Sequence, residues 1–193
     1  MRGGFSGSDF GGSANVHEQP RDELTEWALR AQDGDVIAQA AFVRLSQSDV
    51  WRNCAALCSS NDADDLTQEV YLRAFRALPS FLARSSARTW LLGIARRTCA
   101  DHLRGVQRRR MLDSLLRKVR PATEPDPAGH ASTADILGEL TDERRTAFVL
   151  TAVLGCSYAE VAQIEQVPIG TIRSRVARAR EDLIAALRHA AHV

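Results

Sequence analysis

Apolar residues along this chain recur at helical spacing, and no alternating, strand-like run competes with them. Leu24, Trp27, Ala28 and Ala31 fall at i, i+3, i+4 and i+7, and Val50, Cys54, Leu57 and Cys58 repeat the pattern. Leu66, Val70, Ala74 and Ala77 form a third stripe, opened by Asn61 and Asp62. Pro79 closes it, having no amide hydrogen with which to continue a helix. A fourth stripe begins near Ser86 and carries Leu91, Ile94, Ala95, Thr98 and His102. The pattern predicts an all-α block over residues 22–107, preceded by a flexible Gly- and Ser-rich tail at 1–21.

Residues 108–132 change character. RRRMLDSLLRK can continue as a basic helix, but the prolines and glycine of PATEPDPAGHAS break one, so the segment reads as an extended linker. A second all-helical block spans 133–190. Gly155 stops one helix there, Ser157 and Glu160 have the spacing of a capping box, and Gln166–Val167–Pro168 turn the chain into a new helix near Ile169 to Thr171. Tyr158, Val161 and Ala162 supply the inward face of the first helix; Ile172, Val176, Ala179 and Leu183 form the buried stripe of the second. Two short helices joined by a tight turn, the second rich in arginine, make a helix-turn-helix. At 100° per residue, Thr171, Ser174, Arg175 and Arg178 project opposite that stripe, with Arg173 beside them. Arginine forks and hydroxyls on such a face suit base edges and phosphates of a duplex. An arginine-bearing helix kept for solubility is the bland alternative, and the capped helix before it argues for DNA.

Of 193 residues, 45% are hydrophobic and 25% charged, a composition that excludes wholesale disorder. No run approaches the roughly 18 apolar residues of a membrane span, and the N-terminus lacks the apolar core of a secretory signal, so a cytoplasmic protein without membrane insertion is expected. The net charge of +1 conceals zoning: residues 22–80 sum to −5 and 84–120 to +9, while 168–180 carry four arginines and no acid. Such zoning suits a protein that holds a polyanion on some faces and a basic protein partner on others.

Two further helices carry candidate surfaces. Asp65, Gln68, Glu69, Leu72 and Arg76 share one face of 61–81, a mixture that reads either as a protein-docking surface or as a solvated face. Thr89, Arg96, Arg97, Ala100 and Arg104 line the face of 82–105 opposite its apolar stripe, with Trp90 at the border. That pattern suits single-stranded nucleic acid, where an aromatic stacks on a base; a core tryptophan beside solvated arginines is the other reading. Cysteines stand at 54, 58, 99 and 156, with no second Cys or His pair at zinc-like spacing, so buried structural thiols are expected ahead of a redox pair or a metal. No Gly-rich phosphate loop, GxSxG or HExxH occurs, so neither an enzyme nor a cofactor is expected.

DADDLTQEVYLRAFRALPSF (62–81), ARTWLLGIARRTCADHLR (87–104) and SYAEVAQIEQVPIGTIRSRVARAREDL (157–183) together resemble regions 2.2, 2.3–2.4 and 4.2 of the extracytoplasmic-function (ECF) sigma factors, the smallest class of bacterial promoter-specificity subunits. The resemblance covers nearly all of 22–190, the variable linker included. It implies a region 2 bundle and a region 4 helix-turn-helix that act with the β and β′ subunits of core RNA polymerase. Asp65, Gln68, Glu69 and Leu72 would dock on the β′ clamp. Phe81, Arg84, Ser85, Arg88 and Thr89 would lie in the loop that captures a flipped base of the −10 element, with Trp90, Arg96, Arg97 and Arg104 holding the melted strand. Thr171, Arg173, Ser174, Arg175 and Arg178 would read the −35 duplex. The family also makes an anti-sigma factor a candidate partner, and no additional C-terminal domain is expected. An independent helix-turn-helix regulator that binds duplex DNA without polymerase is the alternative; dependence on core polymerase separates the two.

Overall fold

The computed structural model describes residues 22–117 and 137–190. Among these residues there are seven α-helices and no strand. Helices α1 (Glu23–Arg30), α2 (Val36–Leu57), α3 (Ala63–Ala77) and α4 (Ala87–Arg117) form the first block. In the second, α5 (Asp142–Phe148) runs into a π-helical turn at Val149–Val153, followed by α6 (Tyr158–Glu165) and α7 (Ile169–Ala190). The expected tail and the proline-bearing part of the linker lie outside the described residues.

Short polar side chains start the helices. Asp22 caps α1 by accepting from Thr25 N at 3.0 Å and Thr25 Oγ1 at 2.7 Å. The same threonine hydroxyl accepts from Ala87 N at 2.8 Å, so one buried group ties the start of α4 to the start of α1. Asp35 caps α2 through Ile37 N and Ala38 N. α3 ends ahead of Pro79 in a 3-10 turn, Leu78–Ser80, which Gln32 pins by donating to Leu78 O at 3.0 Å and Phe81 O at 2.7 Å. α4 continues to Arg117, through the first part of the expected linker. RRRMLDSLLR holds good helix formers and no breaker, and the first proline after it is Pro121.

Alanine lets these helices approach closely. Ala28, Ala38, Ala63, Ala74, Ala87 and Ala95 are fully buried beside Phe42, Val50, Val70 and Leu91. Phe42, Tyr71 and Phe75 meet edge to face or tilted, with centroids 6.2–6.4 Å apart. The second core comprises Ala147, Leu150, Leu154, Cys156, Val161, Ile172 and Val176, and it closes on Leu92 of α4. Leu137, Leu140, Val149 and Ala179 pack in turn with the first core. α4 is therefore buried on both sides at 91–95, where periodicity predicted one apolar stripe and one open face. The two blocks pack together through it.

Candidate nucleic-acid interface

The helix-turn-helix forms as its sequence predicts. Ser157 Oγ accepts from Glu160 N at 3.2 Å, and Glu160 Oε2 accepts from Ser157 N at 2.7 Å, completing the capping box of α6. Burial works against the Glu160 carboxylate, but the Ser157 donors outweigh it and hold its pKa below the usual range. α6 ends at Gln166, whose φ of 55° is left-handed and whose N–H reaches Ala162 O. Thr171 N then donates to Pro168 O at 2.9 Å, opening α7. Ile172, Val176 and Ala179 are buried, and Arg173, Ser174 and Arg178 are exposed, as expected. Thr171 is half-buried. Arg175 departs from the expected outward face: it is half-buried and leans back toward α6, with Nη1 3.4 Å from Glu165 Oε2.

On the first block, Arg96, Arg97, Ala100 and Arg104 line one shallow groove with Arg73, Ala77, Ile94 and Asp101. Its basic wall is partly neutralised from within. Arg73 donates to Asp101 and to Glu69, each at 2.7 Å, and Arg104 donates to Asp101 at 2.5 Å. The Arg73 hydrogen bond holds the Asp101 pKa down, while Asp101 and then Glu69 raise that of Arg73.

The start of α4 corrects the −10 loop that the resemblance implies, since Phe81 is buried and Arg88 and Thr89 stand in the helix, and it corrects the open face that periodicity gave to Thr89. Phe81 is 5% exposed, with its ring 4.8 Å from that of the half-buried Trp90. Thr89 is 5% exposed and not on an open face. Ser86 Oγ accepts from Thr89 N at 3.1 Å, and Thr89 Oγ1 reaches Glu160 Oε1 at 3.4 Å. Ala83 takes a left-handed φ of 50° without being glycine, Arg84 is exposed and Ser85 half-buried.

Arg88 and Arg96 also face the second block. Arg88 donates to Asp49 Oδ2 at 2.6 Å and to Leu154 O at 2.5 Å, and lies 3.4 Å from Cys156 Sγ. Burial raises the Asp49 pKa, but hydrogen bonds from Arg88 and Arg52 win and leave it lowered. Arg96 Nε donates to Glu165 Oε1 at 2.6 Å, and the Glu165 side chain is only 2% exposed. One carboxylate on α6 thus holds an arginine of the −10 candidate surface and an arginine of α7. Sequence reasoning missed Asp49, Glu160 and Glu165 as partners. The only signal was the acidic character of 22–80 and of 135–165, with six acids against two arginines in the latter, opposite the basic 84–120.

On α3, Asp65, Gln68 and Leu72 are exposed together, whereas Glu69 is half-buried against Arg73. Trp51 of α2, not anticipated from sequence, donates to Asp64 Oδ1 at 2.8 Å and lines an open pocket with Gln47, Thr67 and Gln68. Among the described residues no helix is long and apolar enough to cross a membrane.

Comparison with known proteins places both blocks. The Sigma-70 region 2 profile matches residues 37–119, and that of Sigma-70, region 4 matches residues 131–183. The chain is 46% identical over 171 residues to the ECF RNA polymerase sigma factor SigC of Mycobacterium tuberculosis, covering 85% of this chain and 91% of that protein. It is 32% identical over 177 residues to the ECF RNA polymerase sigma-E factor of Haemophilus influenzae, covering 83% and 94%. Among solved structures, the sigma factor RpoE in complex with the anti-sigma factor NepR from Bartonella quintana superposes with a TM-score of 0.61 at 28% identity, covering 76% of this chain and 94% of that one. Both sigma-70 regions stand in order on a helical chain that matches these relatives along most of its length, and the chain belongs to the ECF RNA polymerase sigma factors of the sigma-70 family.

Proposed function

We propose that this sigma factor joins core RNA polymerase through α3, engages the melted −10 strand with the groove between α3 and α4, and reads the −35 duplex with α7. The observation that carries this reading is the presence on one chain of a basic groove around Arg96, Arg97 and Arg104 and a capped helix-turn-helix presenting Arg173, Ser174 and Arg178. A regulator of duplex DNA alone has no use for the first. Asp65, Gln68 and Leu72, with Trp51 beside them, supply an exposed acidic and apolar face for the β′ subunit. The protein acts in the cytoplasm, by binding rather than by catalysis.

The closed packing of the blocks bears on how it acts. Arg88, Thr89 and Arg96 face α6 and its flanking loop, so these contacts are exchanged for DNA when the blocks separate on polymerase. An anti-sigma factor is a second partner, supported by the relative solved with one. Transcript mapping with reconstituted holoenzyme tests the whole reading. Promoter-specific starts that require both core polymerase and this chain are expected; tight duplex binding with no core-dependent transcript would establish the independent regulator instead.

A further inference from the structure

Three of the four thiols meet between the C-terminal end of α2 and the middle of α4. Cys54 lies in the last turn of α2 and Cys58 is its C-cap, one turn on, and both pack in the same core as Cys99 of α4. Cys58 Sγ also lies 3.9 Å from Cys99 O. Cys54 is 0% and Cys99 1% exposed, whereas Cys58, at the cap of α2, is half-buried and open to solvent on one side. Packing alone explains two buried sulfurs, since a free cysteine behaves as a small apolar residue. It does not explain a third, solvent-accessible sulfur placed against them. Nor are the thiols equivalent. The hydrogen bond from Cys99 lowers the Cys54 pKa, while the contacts with Cys54 and Cys58, together with burial, push that of Cys99 up.

We propose that Cys58 and Cys99 form a peroxide-oxidisable dithiol that reversibly crosslinks α2 to α4. The Cys58 thiolate attacks one oxygen of a hydroperoxide. The S–O bond forms, the O–O bond breaks, and the departing alkoxide or hydroxide leaves with a proton, giving a sulfenic acid. The Cys99 sulfur then attacks the Cys58 sulfur; the S–S bond forms, the S–O bond breaks, and hydroxide leaves as water with the Cys99 proton. Two electrons pass from the sulfur pair to the peroxide, and a dithiol reductant returns them. Cys54 does not compete for Cys58, because residues one turn apart on a helix hold their Cβ atoms about 5–6 Å apart. A disulfide needs roughly 3.5–4.5 Å. Cys58 leads directly into Ser59 and Asp62, which bond each other at 2.7 Å where α3 begins, so the crosslink fastens the root of α3 to α4.

The test treats the reduced full chain with hydrogen peroxide, alkylates the remaining thiols and maps the digest by mass. Loss of two free thiols, one Cys58–Cys99 linked peptide pair within a single chain and recovery in dithiothreitol are expected. Cys54→Ser and Cys156→Ser should keep the crosslink and Cys58→Ser should abolish it. Cys99 lies in the core, so Cys99→Ala is assessed only with helical content retained by circular dichroism. There Cys58 should stop at a sulfenic acid that dimedone captures. A crosslink between chains alone, or Cys58 oxidised to sulfinic acid in the native sequence while Cys99 stays free, overturns the proposal.

Discussion

Arg175 and Arg178 lie one turn apart on α7, and helical spacing treats them alike. The fold does not: Arg178 is exposed, while Arg175 is drawn to Glu165. If Arg178 reads a base, Arg178→Ala costs about 1–3 kcal/mol and relaxes preference at one −35 position. Selectivity of the mutant holoenzyme across single-base promoter variants, at two salt concentrations, measures this; uniform weakening would leave Arg178 with phosphate contact alone. Gln166 offers a stability test in the turn. An L-residue in the left-handed region is strained by roughly 1–2 kcal/mol, part of which glycine's greater backbone entropy cancels. Gln166→Gly therefore raises stability by about 0.5–1 kcal/mol, read as a higher thermal midpoint with −35 preference unchanged. Thr89 was misjudged for a related reason: its angle on the helix was legible, but not the helix that covers it.

Helix starts and turns were the most legible elements, because the groups that make them are neighbours in sequence. The α6 capping box needs only Ser157 and Glu160, three residues apart, and Ser157→Ala is expected to cost about 1 kcal/mol in thermal or denaturant unfolding. The N-terminal attachment of α4 was not legible, since its donor Ala87 and acceptor Thr25 stand 62 residues apart. α3 carries the docking prediction. Asp65→Arg with Leu72→Asp should weaken core-polymerase binding at least about tenfold, near 1.4 kcal/mol, with helicity unchanged because both side chains are exposed. Fluorescence titration of core measures it, and equal affinity would remove α3 from the interface. Glu69 is left alone in that test because reversing it also breaks its bridge to Arg73.

At the scale of the molecule, the two blocks are held by a few charge-assisted bonds from Arg88 and Arg96, in addition to the apolar contacts of Leu92, Leu137, Leu140, Val149 and Ala179. Glu165→Gln weakens the Arg96 pair across the blocks and should favour separation, seen as a larger radius of gyration in small-angle scattering; an unchanged radius would assign the closed packing to its apolar contacts. Asp49 adds a pH dependence of definite sign. Its folded pKa is depressed below 3.8, so its stabilisation is present above that value and lost as pH falls through the folded pKa. At neutral pH, Asp49→Asn should be less stable than the native sequence by about 1–2 kcal/mol, and the gap should close as pH drops below 3.8. A gap that persists in acid would show that the carboxylate charge is not its source.

The seven helices, the capped turn before α7 and the outward Arg173, Ser174 and Arg178 were readable from the chain alone, because periodicity, caps and breakers act over a few residues. The same local reading carried three ordered motifs, and these sufficed to place the family. Tertiary structure alone decided that Leu92 joins the second core, that Arg88 and Arg96 find Asp49 and Glu165, and that Cys99 lies against Cys54 and Cys58. Arg96 and Glu165 are 69 residues apart, and charge zoning leaves such a pair one choice among many acids and arginines. Periodicity tells which side of a helix is apolar; only the packing of α6 on α4 tells what covers the other side.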